Sequence, residues 1–172
     1  MCCKARIVSF SELYGGKIAA ALSRQHPRDI FYYKYYPLDS FDEVKSGLIL
    51  YLLGSDKPIL ESLQPNSIDQ KDALENQFRG MTDVPFSYDD YEISRQELID
   101  KIKNGLTEED KTFLLSFEKG KPDWDKCCAG DLSSYPSVKW KLQNIIKLKE
   151  TNPNKFNAGV EKLREFLFPS KE

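Results

Sequence analysis

The stretch from Ser9 to Tyr36, SFSELYGGKIAAALSRQHPRDIFYYKYY, constrains the fold more than any other part of the chain. Ser9 with Glu12 three residues later has the capping-box pattern, and Tyr14, Ile18, Ala21 and Leu22 recur at helical spacing, which predicts a helix from Phe10 to about Arg24. Gly15, Gly16 and the run Ala19, Ala20, Ala21 leave that helix almost without side-chain bulk. Each glycine inside a helix costs roughly 1 kcal/mol relative to alanine, and what the small residues permit is close approach by another backbone or by a ligand. Lys17 and Arg24 lie seven residues apart on one face beside the apolar stripe, a position that can place both at the rim of a cleft.

Pro27 suits the first position of a second helix, which places Arg28 and Asp29 in its first turn, where Asp29 complements the helix dipole. His26 reads as a helix-start or loop residue, since no partner for acid–base work is evident. The aromatic run Phe31, Tyr32, Tyr33, Tyr35, Tyr36 reads mostly as packing, and Pro37 ends the helix.

The rest of the chain is punctuated as helices. Asp39 caps one through Phe41, Val44, Leu48 and Leu52 to Gly54, and Pro58 opens a short one to about Leu63. Ser67 or Asp69 starts the next, with Ala73, Leu74 and Phe78 inward and Gly80 as its stop. A long amphipathic helix follows from about Ser87 to Asn104, and Thr107 with Asp110 caps another whose Phe113, Leu114 and Phe117 face inward. Residues 121–136 read as an ordered loop pinned by Trp124. Two final helices run from about Ser137 to Glu150, with Val138, Leu142, Ile145 and Ile146 inward, and from Pro153 to Phe168. The apolar run from Ala5 to Val8 predicts one short N-terminal strand, and a lone strand needs pairing from elsewhere, a second copy of the chain included. The expected class is mainly α with that single strand.

Nowhere do the roughly 18 to 20 uninterrupted apolar residues of a membrane span occur, and the start MCCKARIVSF lacks the apolar core of a signal peptide, so the expectation is a cytoplasmic protein that does not enter membranes. The cysteines come as two adjacent pairs, Cys2–Cys3 and Cys127–Cys128, and with one His in the chain no metal-ligand spacing is formed. They read as reduced thiols, with a disulfide between the pairs left open. The net charge of −2 is unevenly spread: residues 1–38 carry six Lys or Arg against two acids, residues 39–111 eight against seventeen, and residues 112–172 eleven against eight. Basic charge beside an aromatic-rich segment suits a phosphate-bearing ligand or a solvated face.

Two blocks resemble the AbiEii/AbiGii toxin family of nucleotidyltransferases, enzymes of bacterial toxin–antitoxin and phage-abortive systems. ELYGGKIAAALSRQHPRDIF resembles the family's Lys helix and the R-D-x-x-D start of the helix after it, and LTEEDKTFLLSFEKGKPDW with YPSVKWKLQNIIKLKETNP resembles its helical tail. HPRDIFYYKYY and ENQFRGMTDVPFS fall between them in the expected order, so the likeness runs along nearly the whole chain. It implies the helical C-terminal part of an α+β polymerase-β-like fold, with residues 1–38 a remnant of the catalytic core and 39–172 a helical domain. It further implies transfer of a nucleotide from an NTP to an acceptor such as tRNA. Lys17 would contact the phosphates, Arg28 and Asp29 would order the site, and Arg24 would be an auxiliary cation, so that Lys17 and Asp29 take the catalytic roles and Lys17, Arg24 and Arg28 bind nucleotide.

Mg²⁺ and NTP are implied for the complete family fold, whose metal carboxylates sit in a D-x-D pair after a Gly-Ser turn upstream of the Lys helix. Only about ten residues precede that helix here, and Tyr32 stands where the second acid of R-D-x-x-D would be. Gly54-Ser55 fits a helix stop better than a phosphate turn, and the D-x-D spelling at Asp123 and Asp125 lies in the Pro-Asp-Trp loop. The expectation is therefore a truncated or split nucleotidyltransferase that is inactive alone, with no metal site and no cofactor of its own. Its expected partners are an antitoxin-like protein or a chain supplying the missing core, and NTP or tRNA. The competing expectation is a non-catalytic helical module that binds an antitoxin-like protein, a nucleic acid or a nucleotide.

Overall fold

Helix α1, Phe10–Arg24, opens on the expected capping box: the Ser9 side chain accepts from Glu12 N, and the Glu12 carboxylate takes the Ser9 N–H at 3.0 Å. The computed structural model describes residues 7–35 and 40–169, so the features expected at Cys2, Cys3, Ala5, Tyr36, Pro37 and Asp39 lie outside the described residues. Helix α2 is Pro27–Tyr35 and α3 is Asp42–Gly54. Phe41 stands at the α3 N-cap without a side-chain cap, and the Ser40 hydroxyl accepts from Asp42 N instead.

The close approach demanded by the small residues of α1 is made by α3. A methyl group built on Gly15 would fall onto Leu48 N and the Gly47 carbonyl carbon, and one built on Gly47 would fall onto the Ser11 carbonyl. The two helices therefore touch backbone to backbone, and the Ser11 hydroxyl joins them by pairing with Ser46 Oγ at 2.7 Å and accepting from Gly47 N at 2.9 Å. The small face of α1 is thus a packing face.

Helix α4, Ile59–Leu63, is short, and α5, Lys71–Ala73, runs straight into a π-helical turn at Leu74–Phe78 closed by Arg79 N donating to Leu74 O. Gly80 then leaves it with φ +83°, a conformation that favours glycine. Helices α6, Tyr88–Gly105, and α7, Glu108–Glu118, both start on capping boxes, at Ser87 with Asp90 and at Thr107 with Asp110. A 3₁₀ turn, Trp124–Lys126, carries the expected pin: the Trp124 ring packs on Phe113 and Phe117 at centroid distances of 5.6 and 6.2 Å. Helices α8, Pro136–Thr151, and α9, Pro153–Leu167, complete the fold.

One apolar core runs from Ile18 and Leu22 of α1 through Leu48, Ile49 and Leu52 of α3 to Phe113 and Phe117 of α7 and Leu163 of α9. Each fully buried Leu, Ile or Phe contributes about 1.5–3 kcal/mol. Two sequence expectations are corrected. No described residue is in a strand: Ile7 and Val8 precede α1 without regular structure, because none of the described residues offers a sheet edge to pair with. On α8, Val138 and Ile145 are buried and Leu142 half-buried, while Ile146, expected inward, is exposed, and Lys141, not expected inward, is buried.

Lys141 is inward because the end of α3 leaves carbonyls without helical partners. Its ammonium donates to Leu52 O and Lys57 O at 2.7 Å each and to Ser55 Oγ at 3.3 Å. Burial pushes its pKa down to about 8, with Glu118 and Asp56 pulling the other way. Among the described residues, no helix is long and apolar enough to cross a membrane.

Candidate functional site

The corner between α1 and α2 is set by Gln25, a non-glycine residue at φ +51° whose N–H closes α1 on Ala21 O at 2.9 Å. A left-handed conformation is costly for glutamine, and here two other segments, the loop after α4 and helix α6, hold it. Its side-chain Nε2 donates to Asn66 O at 2.7 Å, its Oε1 accepts from Ile68 N and Arg95 Nη1 at 3.3 and 3.4 Å, and its carbonyl accepts from the Tyr91 hydroxyl at 2.8 Å. Burial raises the Tyr91 phenol to about 12, which keeps it a donor.

His26 caps the start of α2, as its position suggested. Its Nδ1 accepts from Arg28 N at 3.2 Å, which leaves Nε2 to donate to Gln77 Oε1 at 3.3 Å and ties the corner to the π-helical turn. Gln25 and Gln77 are site-building residues that the sequence does not reveal, since no local pattern marks either.

Lys17 is exposed, and its ammonium lies over two rings of the same corner, 3.9 Å from the Tyr32 centroid and 5.1 Å from that of Tyr14. The Tyr32 hydroxyl donates to Tyr14 Oη at 3.4 Å. The Tyr14 hydroxyl first, and the Lys17 ammonium second, hold the Tyr32 phenol below its ordinary range, and Tyr14 is raised in turn. The Tyr32 ring thus engages the lysine without neutralising it.

Asp29 sits largely buried and is paired with Arg24, Nη2 to Oδ2 at 3.0 Å. That oxygen has no aligned hydrogen-bond donor, so the contact is an ion pair without hydrogen-bond geometry. Tyr14, Lys17, Asp29, Tyr32 and Tyr33 line one cavity of about 20 Å³, which is room for about one water molecule and far too small for a nucleotide. Arg28 is exposed, outside that cavity, with no carboxylate partner among the described residues. The structure therefore brings Lys17 and Asp29 together, attaches Arg24 through Asp29, and leaves Arg28 at the outer edge.

This corner does not fit a divalent cation. It offers a single carboxylate, already paired with Arg24, and among the described residues no group of three or more His, Cys, Asp or Glu side chains converges on one point. Gly54-Ser55 ends α3, with the Ser55 hydroxyl donating to Leu52 O. Asp123 pairs with Lys126 at 3.0 Å and donates its N–H to the Ser116 hydroxyl oxygen at 2.9 Å, which makes the 123–125 loop an anchor.

A second polar centre lies across the core, where Lys45 Nζ is 2.9 Å from Asp110 Oδ2 and 3.2 Å from Asp42 Oδ1. Desolvation around its sulfur and the Asp110 carboxylate push the thiol of Cys128, an exposed residue, up to about 12, and burial raises Cys127 as well, so both free thiols are poor nucleophiles at neutral pH. Compared with known proteins, the chain matches no family model, no curated protein and no solved structure.

Proposed function

We propose that this chain is the helical, phosphate-facing portion of a nucleotidyltransferase of the AbiEii/AbiGii kind, which moves a nucleotide from an NTP to an acceptor such as tRNA only with a polypeptide that supplies metal-holding carboxylates. The observation that carries the reading is the α1–α2 corner, where the residues resembling the family's Lys helix and Arg-Asp helix start meet, with Lys17 and Asp29 on one cavity. Charge neutralisation and positioning dominate nucleotide transfer, and Lys17 and Arg28 are cations without a carboxylate partner among the described residues. The cavity beside Lys17 and Asp29 is too small for a nucleotide, so the phosphates lie across its rim, with Lys17 as a point charge and Arg28 at the outer edge.

A second reading, a non-catalytic module that binds a nucleotide, a nucleic acid or an antitoxin-like protein, is favoured by one observation. Tyr32 engages the Lys17 ammonium at the position where an acid would serve catalysis.

Calorimetric titration with each NTP at low salt is expected to show weak binding, reduced about tenfold or more by Lys17→Ala and lost as salt screens the cations. Radiolabelled NTP with bulk tRNA and Mg²⁺ is expected to give no transfer by this chain alone. Robust transfer by the chain alone, abolished in Lys17→Ala, would overturn its dependence on a second polypeptide. Silence with every NTP and with tRNA would remove the nucleotidyltransferase reading and leave the module only as a binder of an antitoxin-like protein.

A further inference from the structure

Where the end of α7 meets α4 and α9, a cavity of about 600 Å³ opens, an ordinary size for a small-molecule site. Leu60 and Pro65 give it apolar walls, and Gly159 of α9 gives it depth, since a methyl group built there meets nothing within 4 Å. Three charged side chains line it: Glu61, Glu118 and Lys162. Glu61 is paired with Lys57 at 3.9 Å. Glu118 and Lys162, opposite in sign, form an ion pair neither with each other nor with any other side chain among the described residues.

Glu118 closes α7 with a carboxylate that the protein leaves unsatisfied. Its Oε2 is cut off from water and accepts no hydrogen bond. Burial raises its pKa, against the pull of the Lys141 ammonium and the Ile59 N–H. Lys141 and Glu118 together border a second, smaller cavity of about 170 Å³, but the Lys141 protons go to Leu52 O, Lys57 O and Ser55 Oγ. A carboxylate withdrawn from water without a donor costs stability, and its place beside a large cavity is explained by a donor that enters that cavity. Lys162, one turn beyond Gly159 on α9, is exposed, and the neighbouring Glu161 is taken by Arg164 at 3.2 Å. Gln64 and Ser67 also line the cavity, with side chains that make no hydrogen bond among the described residues.

We propose that this cavity binds a small zwitterion of the amino-acid or short-peptide class, with its ammonium on the Glu118 carboxylate, its carboxylate on the Lys162 ammonium and an apolar side chain against Leu60 and Pro65. Opposite charges that line one space without meeting are bridged by a ligand that carries both, and each contact is then a charge-assisted hydrogen bond. A ligand with a single charge leaves one of the two side chains unpaired. The proposal is independent of the nucleotidyltransferase reading, since none of Lys17, Arg24, Arg28 and Asp29 lines this cavity.

The probes are L-leucine and glycyl-L-leucine, each with its N-acetylated and its C-amidated form, titrated into the full chain by calorimetry. At least one of the two zwitterions is expected to bind, and removal of either charge from it is expected to weaken binding by at least about tenfold. Glu118→Gln is expected to weaken the zwitterion by a similar factor and to lose the preference for it over the N-acetylated form. Lys162→Ala is expected to do the same with respect to the amidated form. Gly159→Leu fills the cavity and leaves both charges in place, so it is expected to block binding and gives a second reading where Glu118→Gln does not fold. Lys155→Ala, at an exposed position of α9 outside the cavity, is expected to bind as the unchanged chain does. Circular dichroism checks that each variant keeps its helices. The proposal is overturned if neither zwitterion binds, if the N-acetylated or amidated forms bind as well as the zwitterion, or if binding is indifferent to Glu118→Gln or to Gly159→Leu.

Discussion

A single added methyl group in Gly47→Ala is expected to lower the stability of the chain by about 3–5 kcal/mol, beyond the 1–3 kcal/mol typical of overpacked cores, because the obstacle is backbone. The new Cβ would fall on the Ser11 carbonyl oxygen and carbon, and on Glu12 N just under 3 Å away, none of which can rotate aside as a side-chain tip does. The axes of α1 and α3 must separate, which opens the core where Ile18 and Leu22 meet Leu48 and Leu52. Better helix propensity returns only about 1 kcal/mol. Gly15→Ala meets Leu48 N and the Gly47 backbone and is expected to behave alike. Gly159→Ala is the control: a Cβ at Gly159 on α9 meets nothing within 4 Å, so this variant is expected to gain about 0.5–1 kcal/mol. Urea unfolding followed by circular dichroism measures all three. A Gly47→Ala midpoint equal to that of the unchanged chain would show that the helices do not cross backbone to backbone.

Those glycines mark what can be read from the sequence and what cannot. The cost of Gly15 and Gly16 in a helix announces that something must come close, but the partners, Gly47 for Gly15 and the Tyr51 ring for Gly16, are distant in the chain and share no local pattern with them. Helix starts were legible wherever the device is local: the capping boxes at Ser9 and Thr107 and the prolines at 27 and 153 lie at the observed helix starts. The ends that fail do so for tertiary reasons. Lys141 sits inward because carbonyls at the end of α3 need donors, and the turn at Leu74–Phe78 widens where Gln77 reaches His26. At the candidate site, the residue types and their order were legible, and Tyr32 was visible as a departure. The pairing of Arg24 with Asp29, the stacking of Lys17 on Tyr32 and the outward position of Arg28 were not, since each depends on the turn that Gln25 makes at φ +51°.

Asp110→Asn is expected to be the costliest polar substitution, about 3–5 kcal/mol at neutral pH, because it leaves the buried Lys45 ammonium with only the exposed Asp42 for a partner. Asp110 is 2% exposed, and burial alone would raise its pKa, but the Lys45 ammonium and the Thr107 hydroxyl and amide reverse this and hold the carboxyl below its ordinary range. A carboxyl whose folded-state pKa lies below its unfolded value of about 3.9 contributes stability that is fully present above that pH and is lost as pH falls through the folded value. Burial lowers the Lys45 pKa, yet Asp110 and Asp42 raise it further than that, so its contribution is complete below an unfolded value of about 10.4 and is lost only as pH rises through the folded one. Stability from the pair is therefore expected to be flat across neutral pH and to fall on the acid side. In Asp110→Asn the part of the acid fall that belongs to this carboxyl should vanish, and unfolding in urea at pH 7 and at successive steps below about 4 reads the difference. Replacing both charges, Lys45→Met with Asp110→Leu, is expected to recover much of the loss, because it removes the uncompensated charge, while the carboxylate's half of the capping box, its bonds from the Thr107 N–H and hydroxyl, goes with the aspartate. If Asp110→Asn unfolds within about 1 kcal/mol of the unchanged chain at pH 7, the buried pair is not what joins α3 to α7.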